Sequence, residues 1–197
     1  MKDFRILVLL LCAFAGFASC EESDSVGEYD NWQARNMEYI DSIAAVARAN
    51  ADGKWKVVLY QGLDENKTWG NEFYVYCHSL QAGTGTEHPA YTDSVLVNYT
   101  GRLIPTINHK DGYKFDSSYD GEFDPSFDEP VAFKQSGTVP GFSTAVQQMV
   151  AGDTWEVYIP AKLGYGDYES GFIPAYSTLI FEINLVAFGP VDAPLPK

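Results

Sequence analysis

An antiparallel α+β domain is the fold class that this sequence predicts, and three observations predict it. Short runs of alternating or wholly apolar residues recur along the chain with hairpin-type turns between them, as half-buried strands require. Within that series one stretch late in the order, "PGFSTAVQQMV", carries its apolar residues at helical spacing. The βαβ rhythm of a parallel sheet is missing, and no repeat of solenoid period occurs.

The chain opens "MKDFRILVLLLCAFAGFASC". Lys2 and Arg5 supply a basic start, Ile6 to Phe17 are uncharged and mostly apolar, and Ala18 and Ser19 are small. Residues 1–19 thus read as a secretory signal whose apolar run is too short to span a bilayer as a helix. Small residues directly before Cys20 resemble the lipobox of bacterial lipoproteins, with Phe17 where leucine is commoner. That resemblance implies lipidation of Cys20 and membrane attachment through the lipid alone, at about 0.8 kcal/mol per buried methylene. The expected location is the envelope of a Gram-negative bacterium, at the outer membrane, facing the periplasm or the surface. An ordinary signal peptide with an incidental cysteine is the alternative. Residues 20–29, acidic and poor in apolar side chains, read as a solvated tether.

The elements follow in order. Asp30 is placed to cap a helix, with Gln33 three residues on to complete a capping box. Trp32, Tyr39, Ile40, Ile43, Val46 and Ala47 give that helix one apolar face, and Gly53 is its expected stop. A helix of this length needs a partner, either its own domain or a second copy of the chain. "KWKVVLYQG", "EFYVYCHSLQAG" and "SVLVNYTGRLI" read as strands. Asp111-Gly112 makes a hairpin turn into the strand "YKFDSS", and "YDGEFDPSFDEP" is a long acidic loop. "VAFKQS" is short and β-like; Phe142, Ala145, Val146 and Met149 mark the late helix after Pro140-Gly141. "DTWEVYIPAKL" and "STLIFEINLVAFG" are the last strands. The expected organisation is a helix-and-strand extension at 30–72, a main domain at 73–189 and a proline-rich tail at 190–197.

Charge and composition narrow the function. The formal net charge is −14, and loss of residues 1–19 removes two cations and one anion. So acidic a surface repels phosphate backbones, which excludes nucleic acid as a partner. With Cys12 lost and Cys20 lipidated, Cys77 has no partner for a disulfide, and its apolar strand context makes it a buried, inert thiol. There is no Cys-x-x-Cys pair, no His-Glu-x-x-His and no Gly-x-Ser-x-Gly elbow, so covalent or zinc chemistry has little support. Asp116, Ser118, Asp120, Gly121 and Asp124 follow the spacing of a calcium loop, but Phe127 occupies the position of the bidentate glutamate. No metal and no cofactor are expected.

What remains is aromatic. Tyr99, Phe115, Phe133, Phe142, Tyr165 and Phe181 lie on separate elements, each next to a turn or a glycine. The stretch after Lys162 holds Gly164, Gly166 and Gly171 among Tyr165, Tyr168, Phe172 and Pro174, too glycine-rich for core. "VNYTGRL", "GYKFDSS", "GTVPGFSTAVQQM", "IPAKLGYGD" and "GFIPAYSTLIFEINLV" occur in this order and spacing from about Phe73 to Gly189. In that order and spacing the chain resembles the FK506-binding-protein (FKBP) type of peptidyl-prolyl cis-trans isomerase. The resemblance implies a sheet wrapped around the short helix, with the glycine-tyrosine loop overhanging an apolar pocket.

It also implies roles. Tyr99, Phe115 and Phe181 match pocket-lining aromatics, and Phe142 takes the floor position where tryptophan is common. Val139 matches the residue whose N–H meets a bound carbonyl, Asp116 the carboxylate at the wall, Tyr165 a hydroxyl donor and Ile173 an apolar loop contact. Tyr165, Asp116 and Phe142 are thus the expected catalytic residues, and Tyr99, Phe115, Val131, Val139, Ile173 and Phe181 the expected substrate contacts. Val131 departs from the phenylalanine many relatives carry, which opens one wall. The acidic loop is longer and lacks the arginine that can pair with the Asp116-type carboxylate. Tyr168, Glu169 and Tyr176 replace the usual residues of the overhanging loop. The implied substrates are proline-containing polypeptides, and FK506-like macrolides are implied ligands. The competing reading is a peptide-binding or chaperone lipoprotein of the same fold with weak or no turnover.

Overall fold

Seven of these stretches fold as the strands of one antiparallel sheet in the computed structural model, which describes residues 27–124, 126–191 and 193–195. The expected signal segment, Cys20 and most of the acidic tether lie outside the described residues. The order is α1 (Trp32–Ala49), β1 (Trp55–Leu59), β2 (Tyr74–Gln81), β3 (Asp93–Arg102), β4 (Lys114–Ser117), β5 (Val131–Lys134), α2 (Pro140–Val146), β6 (Thr154–Ile159) and β7 (Leu179–Pro190). Across the sheet the neighbours run β1-β2-β6-β7-β3. The far edge of β3 is shared, Ser94–Val97 pairing with β5 and Thr100–Arg102 with β4.

The period of two decides which side chains meet. Val95, Val97 and Tyr99 of β3 point to one face with Trp155, Val157 and Ile159 of β6 and Phe181, Ile183 and Leu185 of β7. On that inner face they bury Phe142, Ala145 and Val146 of α2 in one continuous core. Each such side chain contributes about 1.5–3 kcal/mol when fully buried, which holds so short a helix in place. A Cβ on Gly141 would run into the Ile159 side chain, so only glycine lets α2 lie this close to β6. Cys77 is 1% exposed in this core, and burial pushes its thiol up to about 12, as its strand context implied.

The outer face is covered as well. Ile40, Ala44 and Ala47 of α1 pack on Tyr76 and Tyr158, so the helix docks on its own domain. Where β3 and β7 run side by side, Leu96, Asn98 and Thr100 point away from α2 and are nonetheless buried. Tyr119, Phe123 and residues 126–130 border the cavity above them.

Three expectations about α1 need correction. Asp30 does not cap it: its carboxylate accepts the Gly27 N–H at 2.6 Å within a tight turn, and Asn31, with φ 52°, precedes the helix without a side-chain cap. Gly53 does not stop it either. Asn50 ends the helix in the left-handed region and uses its side-chain oxygen to accept the Trp55 N–H at 2.9 Å. The buried stripe is Trp32, Asn36, Ile40, Ala44 and Ala47, which leaves Val46 51% exposed. The stripe is rotated because an amide, Asn36, holds a core position for a reason given below.

Candidate active site

The inner-facing end of β3 starts the site. Tyr99 points at α2, and two residues on, Gly101 stands where a Cβ would lie 2.6 Å from the Phe115 ring and 2.8 Å from Phe181. Glycine there lets rings from β4 and β7 close over the strand. Phe115 and Phe181 meet edge to face with centroids 5.5 Å apart, and Phe181 meets Phe142 of α2 likewise at 5.4 Å. Tyr99 lies 6.2 Å from Phe181 and 6.4 Å from Phe142. These offsets suit the ring quadrupoles, negative face to positive edge.

Phe133 of β5 completes the set, 5.4 Å from Tyr99 and 6.3 Å from Phe142. Sequence reasoning counted Phe133 among the aromatics but left it out of the expected contacts. The signal was its alternation with Val131, since both side chains pair with inward-facing residues of β3.

A polar edge borders the rings. The Tyr99 hydroxyl donates to Asp116 Oδ2 at 2.7 Å, and the Ser117 N–H donates to Asp116 Oδ1 at 2.9 Å. Burial first, and then the Asp116 carboxylate, hold the Tyr99 hydroxyl firmly protonated. Val139 precedes α2 with an extended backbone, and among the described residues its N–H meets no acceptor. Ile173 is 5% exposed, pinned by paired backbone hydrogen bonds with Ser170, and belongs to the same core.

Of the nine expected residues, Tyr99, Phe115, Val139, Phe142, Ile173 and Phe181 pack together, and Asp116 joins them through Tyr99. Val131 and Tyr165 stand at the margin, 38% and 40% exposed. The rings close on one another. Cavities of about 850, 550 and 450 Å³ lie elsewhere, respectively on the outer face, between α1 and the turn after β6, and beside the N-terminal turn. The convergence of rings from β3, β4, β5, α2 and β7, rather than empty volume, marks this end of the core as the candidate site.

Sequence reasoning missed what holds the overhanging loop. The Asn36 carboxamide accepts the Thr178 N–H at 2.7 Å, and the Trp32 indole N–H donates to Ser177 Oγ at 2.9 Å. Both links are buried and run from α1 to the loop's exit, at the two residues before β7. Just upstream, Tyr176 sits at φ 63°, unusual for an aromatic residue.

This arrangement has counterparts. Residues 85–186 match the model of the FKBP-type peptidyl-prolyl cis-trans isomerase domain, which is more than half of the chain. The chain belongs to the FKBP-type peptidyl-prolyl isomerase family. It is 40% identical over 105 residues to the FKBP-type peptidyl-prolyl cis-trans isomerase FkpA of Aeromonas hydrophila, covering 53% of this chain and 34% of that protein. It is 41% identical over 109 residues to the outer membrane protein MIP of Legionella longbeachae, covering 55% of this chain and 41% of that protein. The chain therefore spans well under two-thirds of the length of these relatives. Among solved structures, a peptidyl-prolyl cis-trans isomerase from Pseudomonas syringae superposes with a TM-score of 0.56 at 26% identity, covering 80% of this chain and 96% of that one. The FKBP assignment covers the ring cluster whole, since Tyr99, Phe115, Phe133, Phe142 and Phe181 all fall inside the matched residues.

Proposed function

We propose that this FKBP-family chain catalyses cis-trans isomerisation of X–Pro bonds in exported polypeptides. The observation that carries the reading is the cluster of Tyr99, Phe115, Phe142 and Phe181 with the Tyr99–Asp116 hydrogen bond at its rim. Rotation about a prolyl amide loses resonance against a barrier of about 18–20 kcal/mol, yet no covalent bond is made or broken. A twisted amide is less dipolar than a planar one, so an aromatic surface favours it relative to water. The proline ring enters where Phe115, Phe133 and Val139 are only half buried, and rests on Phe142. The Val139 N–H and the Tyr165 hydroxyl hold the flanking carbonyls, and Asp116, fixed by Tyr99, sets the polarity near the rotating carbonyl.

The same reading extends to the rest of the chain. Residues 73–189 form the catalytic unit, 30–72 its brace, and 190–197 a tail. Lipidated Cys20 tethers the domain to the outer membrane of a Gram-negative envelope, facing the periplasm or the surface. FK506-like macrolides compete for the same ring cluster. The open position of Val131 favours a second reading, a peptide-binding protein of the same fold with little turnover.

A protease-free isomerisation assay on X–Pro peptides decides between them. The expected result is a rate well above the uncatalysed one, falling about tenfold in Phe142→Ala and in Tyr165→Phe. A thermal melt accompanies Phe142→Ala, because removing a buried Phe costs about 3–5 kcal/mol. A folded chain with no rate above background overturns the isomerase.

A further inference from the structure

On the side of the sheet away from Phe142, a cavity of about 850 Å³ opens between the outer faces of β3 and β7 and the acidic segment that follows β4. Its walls are of two kinds. Leu80, Leu96 and Val186 are apolar, and the rings of Tyr119 and Phe123 lie 5.2 Å apart at its edge. Glu182, Asp128 and Glu129 bring carboxylates to it, and no lysine or arginine lines it.

Asn98 is the decisive residue. It lines this cavity, is 5% exposed, and its Oδ1 has no hydrogen-bond donor among the described residues. A buried amide oxygen left unmatched costs about 1–3 kcal/mol, and a carbonyl oxygen accepts only from a donor. Glu182 adds to the same demand. It stands opposite Glu156 in the β6–β7 register, and burial followed by that like charge raises its proton affinity, with Arg102 opposing. Donor-hungry oxygen, clustered carboxylates and aromatic edges together describe a receptor for a cation on an apolar stem. The volume falls within the roughly 300–1,000 Å³ of ligand pockets and exceeds what one side chain fills.

We propose that this cavity binds a polypeptide segment carrying arginine or lysine between apolar residues, with the cationic head on Glu182 and the Asn98 carboxamide, whose oxygen is shut off from solvent in the empty cavity, turned about its terminal torsion to accept from it. The site is independent of the isomerase reading, because β3 alternation puts Asn98 and Tyr99 on opposite faces of the sheet.

The test is an NMR titration of the full chain with a blocked, proline-free pentapeptide holding arginine between two leucines. Its partners are the same peptide with glutamate, and N-acetyl-arginine amide. Saturable shifts of the Asn98 and Asn184 side-chain amides with the arginine peptide alone are expected. Glu182→Gln is expected to weaken binding at least fivefold, and Asn98→Leu to do the same. If Asn98→Leu fails to fold, the exposed Glu182→Gln decides alone. Equal binding of the two peptides, unchanged affinity in Glu182→Gln, or shifts confined to the Tyr99–Phe142 side overturns the site. N-acetyl-arginine amide binding as tightly as the peptide overturns the assignment to polypeptide.

Discussion

Glu182 shows how one outward-facing residue is held against its own preference. Although the side chain is exposed, its carboxyl is raised in the folded chain, first by partial desolvation against the sheet and then by Glu156 across the strand pair. A carboxyl raised on folding gives up its proton more easily when unfolded, so its ionisation favours unfolding. The cost is absent below the ordinary carboxylate range, grows as pH rises through it, and is complete above the folded-state value. Glu182→Gln is therefore expected to melt about 1–2 °C higher than the parent at pH 7, once solvent screening is allowed for, and at the same temperature in acid. Melting curves across pH check this. The inner residues one step away, Phe181 and Ile183, were legible from alternation alone. Alternation also places Glu182 outward, but its pairing with Glu156 depends on strand register, which short-range pattern does not fix.

Among the elements, α1 does more than cover the sheet. Asn36 and Trp32 tie it to Thr178 and Ser177, where the glycine-tyrosine loop becomes β7. Removing the carboxamide strands a buried Thr178 N–H, and Asn36→Ala is expected to cost about 1–3 kcal/mol. Urea denaturation measures that loss, and the isomerisation assay shows whether the overhanging loop keeps its pose. The strands themselves were readable, because apolar period and turn chemistry agree along each of them. The late helix was readable too, from Pro140-Gly141 and the spacing of Phe142, Ala145 and Val146, but it ends at Val146, and Met149, expected on it, is buried beyond its end. The brace was not. An asparagine within a helix reads as solvated surface until its partner, 142 residues on, is known. The capping box failed for a related reason: a local motif lost to a turn at Gly27 that claimed Asp30 first.

At the scale of the whole molecule, charge is the unbalanced quantity. The chain carries −14, and among the described residues Lys67–Asp64, at 3.9 Å and well exposed, is the one ion pair between a lysine or arginine and a carboxylate. The remaining pairs involve histidine, at His78–Asp52 and His109–Glu28. Self-repulsion on such a surface is screened over about 8 Å at physiological salt, so added salt is expected to stabilise the fold. The melting temperature should rise by roughly 2–5 °C between 20 and 500 mM sodium chloride, on the scale of about 1 kcal/mol in a domain of this size. A melt that is flat or falling with salt would show that the acidic loop is neutralised within the fold. The fold class needed only local pattern, whereas this balance depends on where each charge ends up.

The place of β7 has a consequence for how the molecule comes into being. Among the described residues it is the last strand and yet lies between β6 and β3, which are joined only through it. A ribosome adds about 5–20 residues each second, so every earlier strand waits, sheet unclosed and inner face wet, until residues 179–190 have emerged. A stop between residues 160 and 178 would leave β1-β2-β6 and β3-β4-β5 as two unjoined sheets, and quality control would meet a chain whose core has not closed.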